Sequence, residues 1–179
     1  MSRLTLAPMA AWDTVHVFPM LSQMAADEAR TYPRQTPDDQ KRAQSWLLDQ
    51  LGRPDFGAFV VRDGQKAKGV CWGVIEPRYF MQPARVLDAK LIYVAPSHRT
   101  RGIGHRLLTA LLAWGRERLG PDGVMEGVAL YDSPALAMWL AAGWRPVYTR
   151  IAWVDAEGHP RTGAPLAPSD PARQHRAHG

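Results

Sequence analysis

Leu91-Ile92-Tyr93-Val94-Ala95-Pro96-Ser97-His98-Arg99-Thr100-Arg101-Gly102-Ile103-Gly104 is the stretch in which an apolar run turns into a helix. Pro96 cannot extend a strand ladder, so the strand ends there. Gly102 and Gly104 let the backbone come close to a ligand with no β-carbon in the way. Ile103, Leu107, Leu108, Leu111 and Leu112 then form one apolar stripe of a helix running to Leu119. The free N–H groups of its first turn, aligned with the helix dipole, favour an anion at that spot. Arg99 and Arg101 add charge at the rim. Strand, glycine turn and helix start together make a pyrophosphate cradle.

Two familiar cradles fail at specific residues. A P-loop ends in Gly-Lys-Ser/Thr, where this chain has Gly104-His105-Arg106. A dinucleotide fingerprint places a third glycine near position 107, occupied by Leu107. The bland alternative is a strand-to-helix connection with convenient glycines, and the surrounding pattern argues against it.

Outward from the cradle, the chain reads as one α+β domain. Arg3 to Leu6 alternates like a short strand. Pro19 suits the first turn of a helix reaching about Arg30, with Met20, Leu21 and Met24 inward. Thr36-Pro37-Asp38-Asp39 starts a second helix, which passes through Ala43, Trp46, Leu47 and Leu51 and stops at Gly52. Phe56 to Arg62 and Gly69 to Glu76 form a hairpin around Asp63-Gly64. Met81 to Ala84 is a loop, and Arg85 to Val94 is the strand that enters the cradle. After the cradle helix come a strand from Val124 to Tyr131, a helix from Pro134 to Ala142, and a last strand from Trp144 to Val154.

With both ends of this plan in view, a family resemblance is apparent. Val94-x-Pro96-x-x-Arg99-x-x-Gly102-x-Gly104 resembles the acetyl-CoA signature of the GNAT acetyltransferases, Arg/Gln-x-x-Gly-x-Gly/Ala with a Val-x-Pro lead-in. Asp132-Ser133-Pro134-Ala135-Leu136-Ala137-Met138-Trp139-Leu140-Ala141-Ala142-Gly143-Trp144 is similar to that family's second signature, Asn-x-x-Ala-x-x-Leu-Tyr-x-x-x-Gly-Phe. The resemblance covers roughly residues 3 to 154. It implies a central mixed, mostly antiparallel twisted sheet flanked by helices. The pantetheine arm of acetyl-CoA would enter where the strand ending at Val94 parts from the one ending near Tyr131. Backbone groups of Ile92 and Val94 would hold the arm and the acetyl carbonyl. The N–H groups of Arg99, Thr100, Arg101, Gly102, Ile103 and Gly104 would hold the pyrophosphate.

Transfer of an acetyl group to an amine needs a base, because only the neutral amine attacks. Asp88 lies eleven residues before Arg99, where histone-type members of the family carry a catalytic Glu, and simple alternation puts it on the face of Ile92 and Val94. Its plain structural role would be pairing with Arg85 or Lys90. Glu76 and Glu126 are the rival bases. The second signature departs from the family: Trp139 stands where many members have the Tyr that acts as general acid, and Asp132 replaces Asn. An indole N–H donates a hydrogen bond but supplies no proton near neutral pH. Tyr131, at the end of its strand, offers a phenol nearby.

Composition sets the outer bounds. The 179 residues are one domain's worth, with 46% apolar and 22% charged residues, ordinary for a globular protein. No apolar run approaches the length of a membrane span, and Met1 to Ala11 does not read as a secretion signal. A cytoplasmic home is the expectation. The lone Cys71 sits in an apolar run as core filling. No residue cluster has zinc-ligand spacing, and His159, His175 and His178 are too widely spaced for a metal site.

The net charge of +5 points weakly to anionic partners, and apart from a knot at His98, Arg99, Arg101, His105 and Arg106 the positive residues are dispersed. That knot suits a nucleotide diphosphate and is too short for a duplex, so nucleic acid is not expected. Residues 1–154 are expected to form the GNAT domain. Residues 155–179, rich in Pro, Gly, Ala, His and Arg, are expected to be a flexible tail. The expected activity is acetyl-CoA-dependent transfer to a primary amine of unspecified acceptor. A binding or structural module of the same fold, with the tail meeting a partner protein, is the other reading. A homodimer is compatible with both.

Overall fold

The computed structural model describes residues 4–27, 37–78, 85–120, 124–127 and 134–145. Strands β1 (Leu4–Pro8), β2 (Phe56–Asp63), β3 (Lys66–Pro77), β4 (Arg85–Val94) and β5 (Val124–Gly127) lie side by side in chain order. The first four pair antiparallel, and β4 pairs with β5 in parallel. The parallel pair follows from its connection, because a helical crossover returns the chain to the same end of the sheet. That crossover is α3 (Ile103–Leu119).

Helices α1 (Thr14–Asp27) and α2 (Pro37–Gln50) cover one face of the sheet. Val17, Met20 and Leu47 pack there with Val60, Val70, Trp72 and Tyr93. The other face carries α3 and α4 (Pro134–Ala141). Ile103, Leu107, Leu108, Leu111 and Trp139 pack there with Val61, Cys71, Ile75, Leu87 and Ala89. Gly143 at φ +87° ends α4 in the left-handed conformation, and the Trp144 N–H donates back to the Trp139 carbonyl at 3.1 Å.

The strand from Arg85 to Val94 matches its expected bounds, and the hairpin turn sits at Gly64, φ +59°. Helix α1 differs. It begins at Thr14, so Pro19 lies inside it rather than in its first turn. A 3-10 turn at Ala11–Asp13 starts it, the Ala10 N–H donating to Asp13 Oδ2 at 2.8 Å. Asp13 is 1% exposed and forms a two-bond ion pair with Arg62 of β2, with Arg62 Nε donating to Oδ1 at 2.5 Å. Pro19 costs the helix one N–H donor on its exposed side, where the loss is tolerated. Strand β3 is longer at both ends than the expected Gly69 to Glu76. The expected loop at 81–84, the end of the strand reaching Tyr131, the last strand from 146 onward and the tail lie outside the described residues, as does Thr36.

Candidate acyl-CoA site

The cradle is built by two left-handed residues. Gly102, at φ +70°, is the N-cap of α3, and Thr100, at φ +69°, is the one non-glycine with positive φ among the described residues. Left-handed turns of this kind bring successive N–H groups round a concavity that favours anions. Gly102 has no side chain to cap the helix, and no side-chain cap is made. The first-turn N–H groups are therefore left for another acceptor. Arg99 reaches back along β4, its Nε donating to the Val94 carbonyl at 3.1 Å and its guanidinium 5.5 Å from the centre of the Tyr93 ring. His98 is held below the ordinary histidine value by its burial and then by Lys68 and Arg101. Fixed charge at the rim therefore comes from the arginines.

The two glycines of the motif have different reasons to be glycine. Gly102 needs its φ, since a β-carbon there would meet nothing within 4 Å. At Gly104 a β-carbon would lie 2.7 Å from Met138 Sδ, so the missing atom admits α4 rather than a ligand. This corrects the expectation that both glycines open space for phosphate.

Strand β4 presents an edge to the cradle. The Ala95 N–H donates to the Lys68 carbonyl at 3.0 Å, one step beyond the Val94–Gly69 pair. Bonded residues alternate in an antiparallel ladder, so Ile92 and Val94 direct their N–H and C=O groups away from β3. On that side β5 pairs with β4 only from Val86 to Ala89 among the described residues, and β4 continues to Val94. Among the described residues, the outward backbone groups of Ile92 and Val94 thus lie between the cradle and the Ala89–Gly127 pair.

The expected alternation fails in the middle of β4. Trp72 pairs with Leu91 and Gly73 with Ala89, so Lys90 is an extra, bulged residue. Leu87 and Ala89 share the α3 face with Ile92 and Val94. Asp88, which pairs across to Val74, lies instead on the α1–α2 face with Leu91 and Tyr93. The bulge has put it on the side opposite to Ile92 and Val94.

Asp88 and Glu126 are register partners on adjacent parallel strands and share that face. Each has a cation: Lys90 Nζ is 2.6 Å from Asp88 and 2.7 Å from Glu76, and Arg78 pairs with Glu126. Partial burial pulls Lys90 down, but the hydrogen bonds and charges of Asp88 and Glu76 outweigh it and hold the ammonium above the ordinary lysine value. Of the two cations expected beside Asp88, the one found is Lys90. The fold thus brings together Asp88, Glu126 and Glu76, and it brings together Arg99 to Gly104 with Ile92 and Val94. Tyr131 lies outside the described residues.

Sequence reasoning named Lys90 beside Asp88 but missed that it also holds Glu76, and it missed Arg78 as the partner of Glu126. Spacing along the chain was a weak signal for the Glu76 link. For Arg78 there was none. Trp139 is 5% exposed and edge-to-face with Trp144 at 4.3 Å. Cys71 is fully buried, its thiol pushed up to about 12 by desolvation. No helix among the described residues is long and apolar enough to cross a membrane.

This fold and cradle define a class, and comparison with known proteins agrees. Residues 21–144 match the model of the acetyltransferase (GNAT) family, and the chain belongs to that family. Its fold is similar to that of aminoglycoside acetyltransferase AAC(6')-Iy in complex with a CoA bisubstrate analogue, with TM-score 0.67 at 19% identity over 85% of this chain and 97% of that one. It is similar to AAC(6')-Ih from Acinetobacter baumannii, with TM-score 0.60 at 17% identity over 84% and 97%. A predicted acetyltransferase with acetyl-CoA from Clostridium acetobutylicum gives TM-score 0.68 at 14% identity over 84% and 96%. None of the curated proteins matches.

Proposed function

We propose that this chain binds acetyl-CoA and transfers the acetyl group to a primary amine. The observation that carries the reading is the uncapped start of α3 behind the left-handed turn at Thr100 and Gly102. It fits a pyrophosphate, and the outward edge of Ile92 and Val94 fits the amide-bearing arm that follows. Family membership and solved relatives of the same fold that hold CoA or acetyl-CoA support the donor.

In this reading the N–H groups of Thr100 to Gly104 hold the phosphates, with the Arg101 guanidinium at the rim, while the Arg99 N–H, expected to join them, is given instead to the Pro96 carbonyl at 3.3 Å. Ile92 and Val94 orient the arm, and a β4 N–H stabilises the oxygen that gains charge as the amine attacks. Asp88 takes the proton that the acceptor ammonium must lose, directly or through a water. Lys90, now on Asp88, yields that place to the acceptor. Glu126 is held by Arg78 and serves as the neighbouring charge, and a Tyr131 phenol is the remaining proton source for the departing thiolate. Residues 1–154 form the transferase unit and 155–179 an appendage.

One observation favours a second reading, acyl-CoA binding with little turnover: the candidate base is already neutralised by Lys90 at 2.6 Å. A panel of primary amines with acetyl-CoA separates the two, thiol release being the signal. Asp88→Asn is expected to lower turnover by about a hundredfold or more with acetyl-CoA affinity retained. Unchanged turnover would remove Asp88 as the base, and no turnover with any amine would favour binding alone.

A further inference from the structure

Of the 22 lysines and arginines only Lys41, Lys66, Lys68 and Lys90 are lysines, and one of them stands in the proposed site. The ion pairs at Asp13, Asp39, Asp55 and Glu126 are made by arginine. An arginine would also suit the carboxylates of Asp88 and Glu76, but its guanidinium keeps its proton and so cannot attack a carbonyl. Lys90 places an amine there instead. As the bulged residue of β4 it lies two positions before Ile92, and it reaches back to put Nζ 2.6 Å from Asp88 and 2.7 Å from Glu76. Asp88 in turn pairs in register with Glu126, one step before the Ala89–Gly127 pair. The Lys90 side chain is 37% exposed, held at its tip and still open to a ligand. The place that acetyl transfer reserves for an acceptor ammonium is thus held by an ammonium of the chain itself.

We infer that Lys90 is an acetylation site of this protein, modified from acetyl-CoA by its own active site. The inference rests on the proposed acetyl-CoA reading and adds an acceptor to it. Asp88 takes one proton from the Lys90 ammonium, and the neutral amine attacks the thioester carbonyl. The C–N bond forms, the C–S bond breaks, and the electron pair leaves on sulfur. The second proton that the nitrogen loses neutralises the thiolate, giving Nε-acetyl-Lys90 and CoA. Amine and base are in contact before the donor arrives, so the step runs within one chain. Acetylation also removes the positive charge that neutralises Asp88. Chemical acetylation without the site has the opposite preference. Asp88 and Glu76 hold Lys90 above the ordinary lysine value, which leaves it less free amine than an ordinary lysine has. Acetylation selective for Lys90 therefore needs the site.

The test incubates the full chain with acetyl-CoA carrying an isotope-labelled acetyl group, adds no amine, and reads each lysine by peptide mass spectrometry. Label is expected on Lys90 at least about tenfold faster than on Lys41, Lys66 or Lys68, with a rate constant independent of chain concentration. Asp88→Asn is expected to slow it about a hundredfold, while calorimetry shows acetyl-CoA still bound. If that variant does not fold, the wild-type rates decide, and the urea-unfolded chain is expected to lose the preference for Lys90. Label spread evenly over the four lysines, a Lys90 rate that rises with chain concentration, or unchanged labelling in folded Asp88→Asn would overturn the inference. An unlabelled Lys90 in a chain that binds acetyl-CoA would overturn it too and leave the donor reading intact. A chain that does not bind acetyl-CoA would remove both.

Discussion

At Gly102 the backbone is left-handed and the surroundings are open, so a methyl group there meets no neighbour and pays only for its φ. Gly102→Ala is expected to cost about 1–2 kcal/mol, read from urea unfolding, and to weaken acetyl-CoA binding as the cradle relaxes. A stability equal to wild type would show that the turn is not strained. Cys71 gives a second expectation, in pH. Its folded value is raised to about 12, so between the ordinary thiol value and 12 the unfolded chain has lost a proton that the folded chain keeps. Stability contributed by the neutral thiol is present below that window and falls as pH rises through it. Cys71→Ala should lose less stability than wild type between about pH 8 and 10.5. Native Cys71 should resist alkylation until urea unfolds the chain, and rapid modification of folded protein would contradict its burial.

Some residue roles were legible and others were not. Gly102 and the helix start behind it could be read because φ preference and phosphate geometry are local. Gly104 was misassigned because its neighbour, Met138, is brought in by a second helix thirty-four positions on. Trp139 was visible as an odd residue at its place, but its burial against Trp144 depends on packing that no motif encodes.

Among the elements, β4 is where the pattern and the structure part company. Its bounds follow from Arg85 and Pro96, yet no glycine or proline of β4 itself marks the bulge at Lys90, the glycine at the shift being Gly73 across on β3, and simple alternation therefore assigned Asp88 to the wrong face. The start of α1 was hidden for a related reason: Asp13 is fixed by Arg62, forty-nine residues away. That ion pair binds the α1 entry to β2, and both partners are largely buried, at 1% and 12% side-chain exposure. Asp13→Asn leaves a buried guanidinium uncompensated and is expected to cost about 3–5 kcal/mol. The measurement is the urea midpoint at constant slope, and a shift worth less than about 1 kcal/mol would show that the pair is better solvated than its burial implies.

For the whole molecule, the sheet order explains the site. Among the described residues β4 runs on from the Ala89–Gly127 pair to Val94 with Ile92 and Val94 turned away from β3, and the crossover helix that forces the parallel pair brings its N-terminus to the end of that edge. Cradle and edge are thus two consequences of one connection. Since these parts lie before residue 146, a chain ending at residue 154 is expected to bind acetyl-CoA as tightly as the full chain, by calorimetry of both. A tenfold loss would bring the remaining residues into the site.

The central claim is that this edge and cradle hold acyl-CoA, and calorimetric titration of the full chain with acetyl-CoA tests it most directly. Saturable binding at one site per chain is expected, in the range of about 1 μM to 1 mM typical of enzyme substrates, weakened by Gly102→Ala. Absence of binding at millimolar ligand, or binding indifferent to Gly102, would contradict it.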